Sequence, residues 1–80
     1  MRLPRDLSGH DLAKALSRLD YHVDHQTGSH IRLTTQRSGE HHVTIPAHDS
    51  IKVGTLNAIL RDIAGHAKMS RDELLRQLFQ

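Results

Sequence analysis

The sequence predicts a single two-layer α+β domain spanning residues 1–80, in which helices cover one face of a three-stranded antiparallel sheet. Three consecutive segments alternate apolar and polar residues with the period of a half-buried strand. They lie between two segments whose apolar residues have helical spacing, and a third such segment ends the chain. A sheet with one apolar face must be covered by helices on that face. The expected order is α-β-β-β-α with an extra short C-terminal helix.

The first helix is predicted within the segment LSGHDLAKALSRLDY. Ser8 suits the N-cap position, and Asp11 three residues later completes a capping-box pattern. Lys14 and Arg18 stand one turn apart on the polar side of this helix. A solvated face and a phosphate-contacting stripe are both compatible with this pair of cations. The apolar face follows from leucines at i, i+4 and i+7, namely Leu12, Leu16 and Leu19.

The three strands are predicted in YHVDHQ, HIRLTT and HHVTIP, with turns at TGS and QRSGE. Gly28 is expected to supply a positive φ in the first turn, and Pro46 is expected to end the third strand. Simple alternation assigns Tyr21, Val23 and His25 to the covered face of the first strand. The other sheet face is expected to carry seven polar residues: His22, Asp24, His30, Arg32, Thr34, His42 and Thr44.

Two helices close the chain. GTLNAILRDIAGH has an apolar face at helical spacing, and Gly65 is expected to end this helix as its left-handed cap. MSRDELLRQLFQ contains Ser70 and, three residues later, Glu73, which is a second capping-box pattern. This last helix is short, and we expect it to pack at the edge of the domain.

Composition excludes several classes of protein. The chain has no cysteine, so a disulfide scaffold and a thiolate zinc site are excluded. No segment approaches the ~20 apolar residues of a membrane span, and the basic start MRLPRDLSGHDL lacks the apolar core of a signal peptide, which favours a cytoplasmic location. Tyr21 and Phe79 are the only aromatic residues, so a base-stacking platform is not expected. The 11 basic and 9 acidic residues are interspersed and form no basic block.

The eight histidines are the unusual feature of the composition. His22 and His25 are three apart on a predicted strand, and His41 and His42 are adjacent, so neither pair is expected to share a face. No ligand set with metal-site spacing emerges, and we expect neither a metal nor another cofactor. The dipeptide Ser29–His30 is no Ser–His–Asp constellation, and no nucleophile-elbow motif is present.

A lone histidine that transfers protons is compatible with RNA cleavage, because the ribose 2′-hydroxyl is an internal nucleophile and histidine titrates near neutrality. His30 opens the second strand. Arg32, two residues later on the same face, is placed to hold a phosphate. Asp24 on the neighbouring strand would orient the imidazole if the turn is tight. From these residues alone, ordinary polar surface is the favoured interpretation of His30.

Three motifs carry a family resemblance: GSH at residues 28–30, VTIPAH at 43–48 and GTLNAILRDI at 54–63. In this order and spacing they resemble the HicA (YcfA-like) family, the toxins of HicAB toxin–antitoxin systems. The resemblance covers nearly the whole chain. It implies a fold like that of double-stranded RNA-binding domains, ribosome-independent mRNA interferase activity without a metal, and a HicB antitoxin as partner. The family's catalytic histidine falls on His30. Many members have a second histidine where this chain has Ile31.

The resemblance makes an mRNA-cleaving endoribonuclease our first expectation, with a HicB-like antitoxin as partner. The alternative is a non-catalytic double-stranded RNA-binding module. Such modules usually carry a lysine cluster at the start of the last helix, where this chain has Lys52 alone. Thr55 at that helix start is expected either to cap the helix or to contact phosphate. An exposed sheet edge would permit a homo-oligomer. The expected substrate-binding residues are Arg32, Lys14, Arg18 and Thr55.

Overall fold

The computed structural model describes residues 3–80. It confirms the predicted α+β fold, with the order α-β-β-β-α and a further C-terminal helix. Met1 and Arg2 lie outside the described residues. The elements are α1 (Gly9–Leu16), a 3₁₀ turn η1 (Ser17–Leu19), β1 (His22–Gln26), β2 (His30–Thr35), β3 (His41–Pro46), α2 (Val53–Ala67) and α3 (Arg71–Phe79).

The sheet has the order β1-β2-β3, and both pairings are antiparallel. On its inner face Ile31 lies opposite Ile45, and Leu33 lies opposite Val43. All four side chains are buried beneath the helices. The alternation of β2 therefore places Arg32 and Thr34 on the outer face, which none of the described helices covers.

A β-bulge in β1 changes the face of one histidine. Val23 pairs with Leu33, but His25, two residues later, pairs with Arg32, so Asp24 is the extra residue. Directly opposite residues share a face, which puts His25 on the outer face beside Arg32. The expectation that His25 lies on the covered face is therefore wrong, because a bulge interrupts the alternation on which it depended. Val23 is 50% exposed because β1 is an edge strand.

The last helix belongs to the helical layer and not to the edge of the domain. α3 contacts α1, η1 and α2. Its three leucines, Leu74, Leu75 and Leu78, are buried to 2% exposure or less. Burying one leucine contributes roughly 1.5–3 kcal/mol, so three leucines favour a position between two helices over a peripheral one. The expectation that α3 packs at the edge of the domain is therefore wrong.

The helix ends agree with the predicted caps in part. Ser8 and Asp11 form the reciprocal capping box at the start of α1. At the start of α3, Ser70 Oγ accepts a hydrogen bond from the Glu73 N–H at 3.1 Å, but the Glu73 carboxylate bonds to Arg76 instead of closing the box.

Helix α2 continues past the residue that was expected to end it. Gly65 lies inside the helix, and the left-handed cap is Lys68, with a φ of 56°. The extension is held by His66, whose ring stacks on His41 and whose Nε2 donates to the Arg37 carbonyl oxygen at 3.0 Å. The prediction for Gly65 is wrong because these tertiary contacts outweigh the local preference of glycine for a helix end.

The antiparallel pairings define two ends of the domain. At the His30 end lie the start of β2, the end of β3 and the starts of α1 and α2. The Gly9 N–H donates to the His48 carbonyl oxygen at 3.0 Å, and the Ile51 N–H donates to the Leu7 carbonyl oxygen at 2.8 Å. At the His41 end lie the start of β3, η1 and the last turn of α2.

Candidate active site

The turn that carries His30 is organised by Thr27. The Thr27 N–H donates to the His30 carbonyl oxygen at 2.9 Å, and Thr27 Oγ1 accepts from the N–H groups of Ser29 and His30 at 3.3 and 3.0 Å. The expected positive φ at Gly28 is not found, since Gly39 is the one described glycine with a positive φ. The threonine side chain closes the turn and removes the need for a left-handed residue there.

The His30 ring is exposed and held on one side only. Ser29 Oγ lies 3.0 Å from His30 Nδ1, and Nε2 has no hydrogen-bond partner among residues 3–80. The turn is fastened to the end of β3 by a 2.9 Å hydrogen bond from the Ala47 N–H to the Ser29 carbonyl oxygen. The arrangement leaves one imidazole nitrogen free to exchange a proton with a bound molecule.

Arg32 lies on the same strand two residues from His30, roughly 7 Å along the backbone. Its guanidinium is exposed and is not isolated. Arg32 Nη2 lies 3.3 Å from His42 Nδ1, and Arg32 Nε lies 3.9 Å from Asp24 Oδ1. Arg32 and His30 therefore lie on the same face, and Asp24 balances part of the charge of Arg32.

Asp24 does not reach His30. Its carboxylate accepts a hydrogen bond from the Thr34 hydroxyl and lies 3.9 Å from His42 Nδ1. The register of β1 against β2 places Asp24 beside Arg32, further along the strand than the turn. The expected orienting contact from Asp24 is therefore wrong in this structure, and Ser29 occupies that position.

Lys14 and Arg18 are not brought together with His30. Both are exposed in the helical layer, which covers the face of the sheet opposite to Arg32. Arg18 Nη1 donates to the carbonyl oxygens of Gln80 at 2.7 Å and Gln77 at 3.4 Å, at the C-terminal end of α3. A cation is favourable at that end of a helix dipole, so Arg18 has a structural role.

Thr55 is exposed in the first turn of α2. The N-cap is Lys52, whose side chain makes no capping hydrogen bond, so the alternative role of Thr55 as the cap is wrong. The start of α2 belongs to the His30 end. Thr55 and the exposed Lys52 therefore lie at the same end of the domain as His30.

Sequence reasoning missed Gly9. A Cβ at Gly9 would clash with the Pro46 carbonyl oxygen, so only glycine allows α1 to start against the end of β3. The start of α1 therefore packs against Pro46, which is the residue that pairs with His30 in the sheet. The only signal in the sequence was a glycine directly after a capping serine.

The His41 cluster, which consists of Tyr21, His41, Asp62 and His66, is a second histidine environment. The buried Tyr21 hydroxyl lies 2.8 Å from His41 Nδ1, and His41 Nε2 donates to Asp62 Oδ1 at 3.2 Å. The rings of His41 and His66 stack at 4.4 Å with an interplanar angle of 9°. Burial, together with the negative charge of Asp62, raises the pKa of Tyr21 to about 12. Both nitrogens of His41 are occupied, so this histidine has no free position for chemistry.

His22 and His25 do share the outer face, contrary to the expectation from their spacing. Even so, no group of three or more His, Asp and Glu side chains is arranged to hold a metal ion within the part of the chain that the structure describes. Over the same residues, no helix combines the length and the hydropathy needed to cross a membrane.

A family model described as HicA toxin of bacterial toxin–antitoxin matches residues 9–64, from the start of α1 through most of α2. No curated protein and no solved structure is significantly similar to the chain. The matched segment contains the whole sheet, the His30 turn and the start of α2, and it covers well over half of the 80 residues. The chain belongs to the HicA toxin family of bacterial toxin–antitoxin systems.

Proposed function

We propose that this protein is a metal-independent endoribonuclease that cleaves mRNA, with His30 as its catalytic acid and base. The observation that carries the proposal is the His30 ring itself. The ring is exposed, Ser29 contacts it at Nδ1, and Nε2 has no partner among residues 3–80. Membership in a toxin family supports an activity that harms the cell, and mRNA is a substrate whose cleavage does so.

The chemistry needs little more than proton transfer. The ribose 2′-oxygen attacks the adjacent phosphorus while the bond to the 5′-oxygen breaks, which leaves a cyclic phosphate and a free 5′-hydroxyl. His30 Nε2 accepts the 2′ proton and returns a proton to the departing 5′-oxygen. Arg32, two residues away on the same face, would stabilise the charge on the phosphoryl oxygens.

The alternative, a non-catalytic double-stranded RNA-binding module, is less well supported. Such a module requires several cations that neutralise phosphates. Here Arg32 is balanced by Asp24, and His42 contacts Glu40 at 3.2 Å. The outer face therefore has little net positive charge while its histidines are neutral, which suits brief encounters with a substrate better than tight binding. Affinity for RNA should rise in acid as the histidines gain protons.

We also propose that the antitoxin partner, which membership in the family implies, binds the outer face and covers His30. A partner there excludes RNA directly, and masking the site requires roughly 600–800 Å² on each side. The exchange Arg32→Glu should weaken both RNA cleavage and antitoxin binding, because both use this face. A complex in which the partner sits on the helical layer and leaves His30 open would contradict this mode of inhibition.

The test of the proposed function is His30→Ala in an RNA cleavage assay with and without EDTA. We expect the wild-type protein to cleave in EDTA and the variant to lose cleavage and toxicity. A matched control is His10→Ala, which removes an exposed histidine of α1 in the helical layer and should keep activity. Circular dichroism checks that both variants fold. Undiminished cleavage by the His30→Ala protein would exclude the mechanism.

A further inference from the structure

We infer that Ser29 is a positioning residue for His30: its Oγ accepts the Nδ1–H of the ring and so leaves Nε2 unprotonated and ready to accept a proton. The inference rests on the proposed function and extends it to a residue outside the predicted site. It depends on the 3.0 Å separation between Ser29 Oγ and His30 Nδ1. No other side chain among residues 3–80 contacts a nitrogen of this ring.

The position of Ser29 is fixed by the backbone on both sides. Its N–H donates to Thr27 Oγ1 at 3.3 Å, and its carbonyl oxygen accepts from the Ala47 N–H at 2.9 Å. The serine is thus tied to its own turn and to the end of β3. These backbone bonds fix the direction of the Ser29 Cα–Cβ bond, from which the hydroxyl reaches the neighbouring Nδ1.

The chemical consequence follows from the two nitrogens of imidazole. A neutral ring carries one N–H, and the nitrogen without it is the base. When Ser29 Oγ accepts from Nδ1–H, the lone pair is at Nε2, which points away from the serine toward solvent. After Nε2 takes a proton, Nδ1–H still donates to the same hydroxyl, so the contact survives every step of the proposed reaction.

A neutral partner differs from the usual carboxylate. A carboxylate at Nδ1 orients the ring and also stabilises the imidazolium. The nearest predicted carboxylate, Asp24, is engaged by Thr34 and Arg32 instead. Ser29 orients the ring without adding a negative charge. The contact is therefore the same with a neutral and with a protonated ring, as suits a single histidine that acts as both base and acid.

The experiment compares Ser29→Ala with Ser29→Thr, which keeps a hydroxyl, and with Ser50→Ala, an exposed serine in the loop before α2. We expect Ser29→Ala to lower kcat for RNA cleavage about 10-fold with KM unchanged, because ring orientation supplies part of the general-base effect. Ser29→Thr should recover most of the rate, and Ser50→Ala should match the wild type. The pH–rate profile of Ser29→Ala should change in shape, and circular dichroism should show the same fold for all variants.

Nitrogen-15 NMR of the imidazole gives a readout that needs no activity. We expect the Nδ1–H form of His30 in the wild-type protein and a mixture of both forms in Ser29→Ala. Wild-type protein in the Nε2–H form, or a Ser29→Ala protein with unchanged kcat, would overturn the inference. If the wild-type protein cleaves no RNA, the proposed function fails, while the NMR comparison still decides whether Ser29 holds the ring.

Discussion

The two ends of the sheet each contain a histidine, and these two histidines differ in exposure and in the number of ring nitrogens that have a partner. At the His41 end, His41 is 18% exposed in its side chain and has a partner at each ring nitrogen. At the His30 end, His30 is exposed and, within the described part of the chain, has a partner at Nδ1 alone. The His41 side chain, which belongs to β3, contacts Tyr21 directly before β1 and Asp62 in α2, whereas the His30 side chain bonds only to its own turn among residues 3–80.

The number of occupied ring nitrogens distinguishes a histidine that stabilises the fold from one that can exchange a proton with a substrate. A side chain whose donors and acceptors are all occupied contributes to the fold and has no position left for a substrate. A side chain held at one atom keeps its geometry and still offers another atom. Burial alone does not distinguish the two, since other exposed histidines, such as His42, are bonded at both nitrogens.

The largest expected effect is that two alanine variants lose different properties: His30→Ala loses RNA cleavage, and His41→Ala loses stability. His30→Ala should lower RNA cleavage by at least about 10²-fold and change the free energy of unfolding by less than about 0.5 kcal/mol. His41→Ala should leave the active site intact but cost about 1–3 kcal/mol, because it removes the partner of the buried Tyr21 hydroxyl. Cleavage assays and urea unfolding of both proteins measure this. Equal losses of stability in the two variants would break the distinction between the two ends.

The next effect is alkaline destabilisation through Tyr21. Its pKa in the folded protein is raised to about 12, against about 10 in an unfolded chain. The folded state thus favours the neutral phenol, and the associated stability is fully present below pH 10 and is lost as the pH rises through 12. The loss amounts to about 2–3 kcal/mol. Urea unfolding should show this decline in the wild type and not in Tyr21→Phe.

A direct readout is available because Tyr21 is the single tyrosine of the chain. The absorbance of tyrosinate should follow its titration without interference. A midpoint near pH 10 would show that the His41 cluster leaves the phenol unperturbed.

Two glycines at the His30 end should respond differently to alanine. Gly9→Ala should destabilise the protein by about 1–3 kcal/mol, because the added Cβ meets the Pro46 carbonyl oxygen and α1 must shift. Gly28→Ala adds a Cβ into open space at a residue without a positive φ. It should leave stability unchanged or raise it by up to about 1 kcal/mol. Thermal unfolding compares the two, and a similar loss in both would show that the turn is also sterically closed.

The smallest effect concerns Glu40 near the His41 end. The hydrogen bond from Gln36, followed by the contact with His42, lowers the pKa of Glu40 below its usual value. Its contribution to stability is therefore present above the unfolded pKa and is lost as the pH falls through the lower folded pKa. Glu40→Gln should flatten this acid decline slightly, because the carboxylate is exposed and the effect is small. Urea unfolding at several acidic pH values measures the slope.

Local sequence patterns predicted the elements and their order correctly. Periods of 2 and 3.6 residues identified the strands and helices, since these periods follow from backbone geometry alone. The capping box of Ser8 and Asp11 was correct for the same reason, because all its atoms lie within one turn. His30 was identified as a candidate through its motif, and the structure adds its exposure and its contact with Ser29.

The errors concern contacts between distant segments. The bulge that turns His25 outward arises from the pairing of β1 with β2, and no single strand encodes it. Gly65 stays helical because His66 meets His41 from another element. The same reason explains why Asp24 does not meet His30, since the register of β1 against β2 places Asp24 beside Arg32 and Thr34.

The sequence by itself thus determined the helices, the strands, the apolar face of the sheet and the motif that contains His30. Only the tertiary structure decided which histidine nitrogens are occupied, where α3 packs and why Gly9 is required. The physical reason is the range of the interactions. Periodicity and capping act within a few residues, whereas the Tyr21–His41–Asp62 contacts join three segments of the chain that span 41 residues from Tyr21 to Asp62.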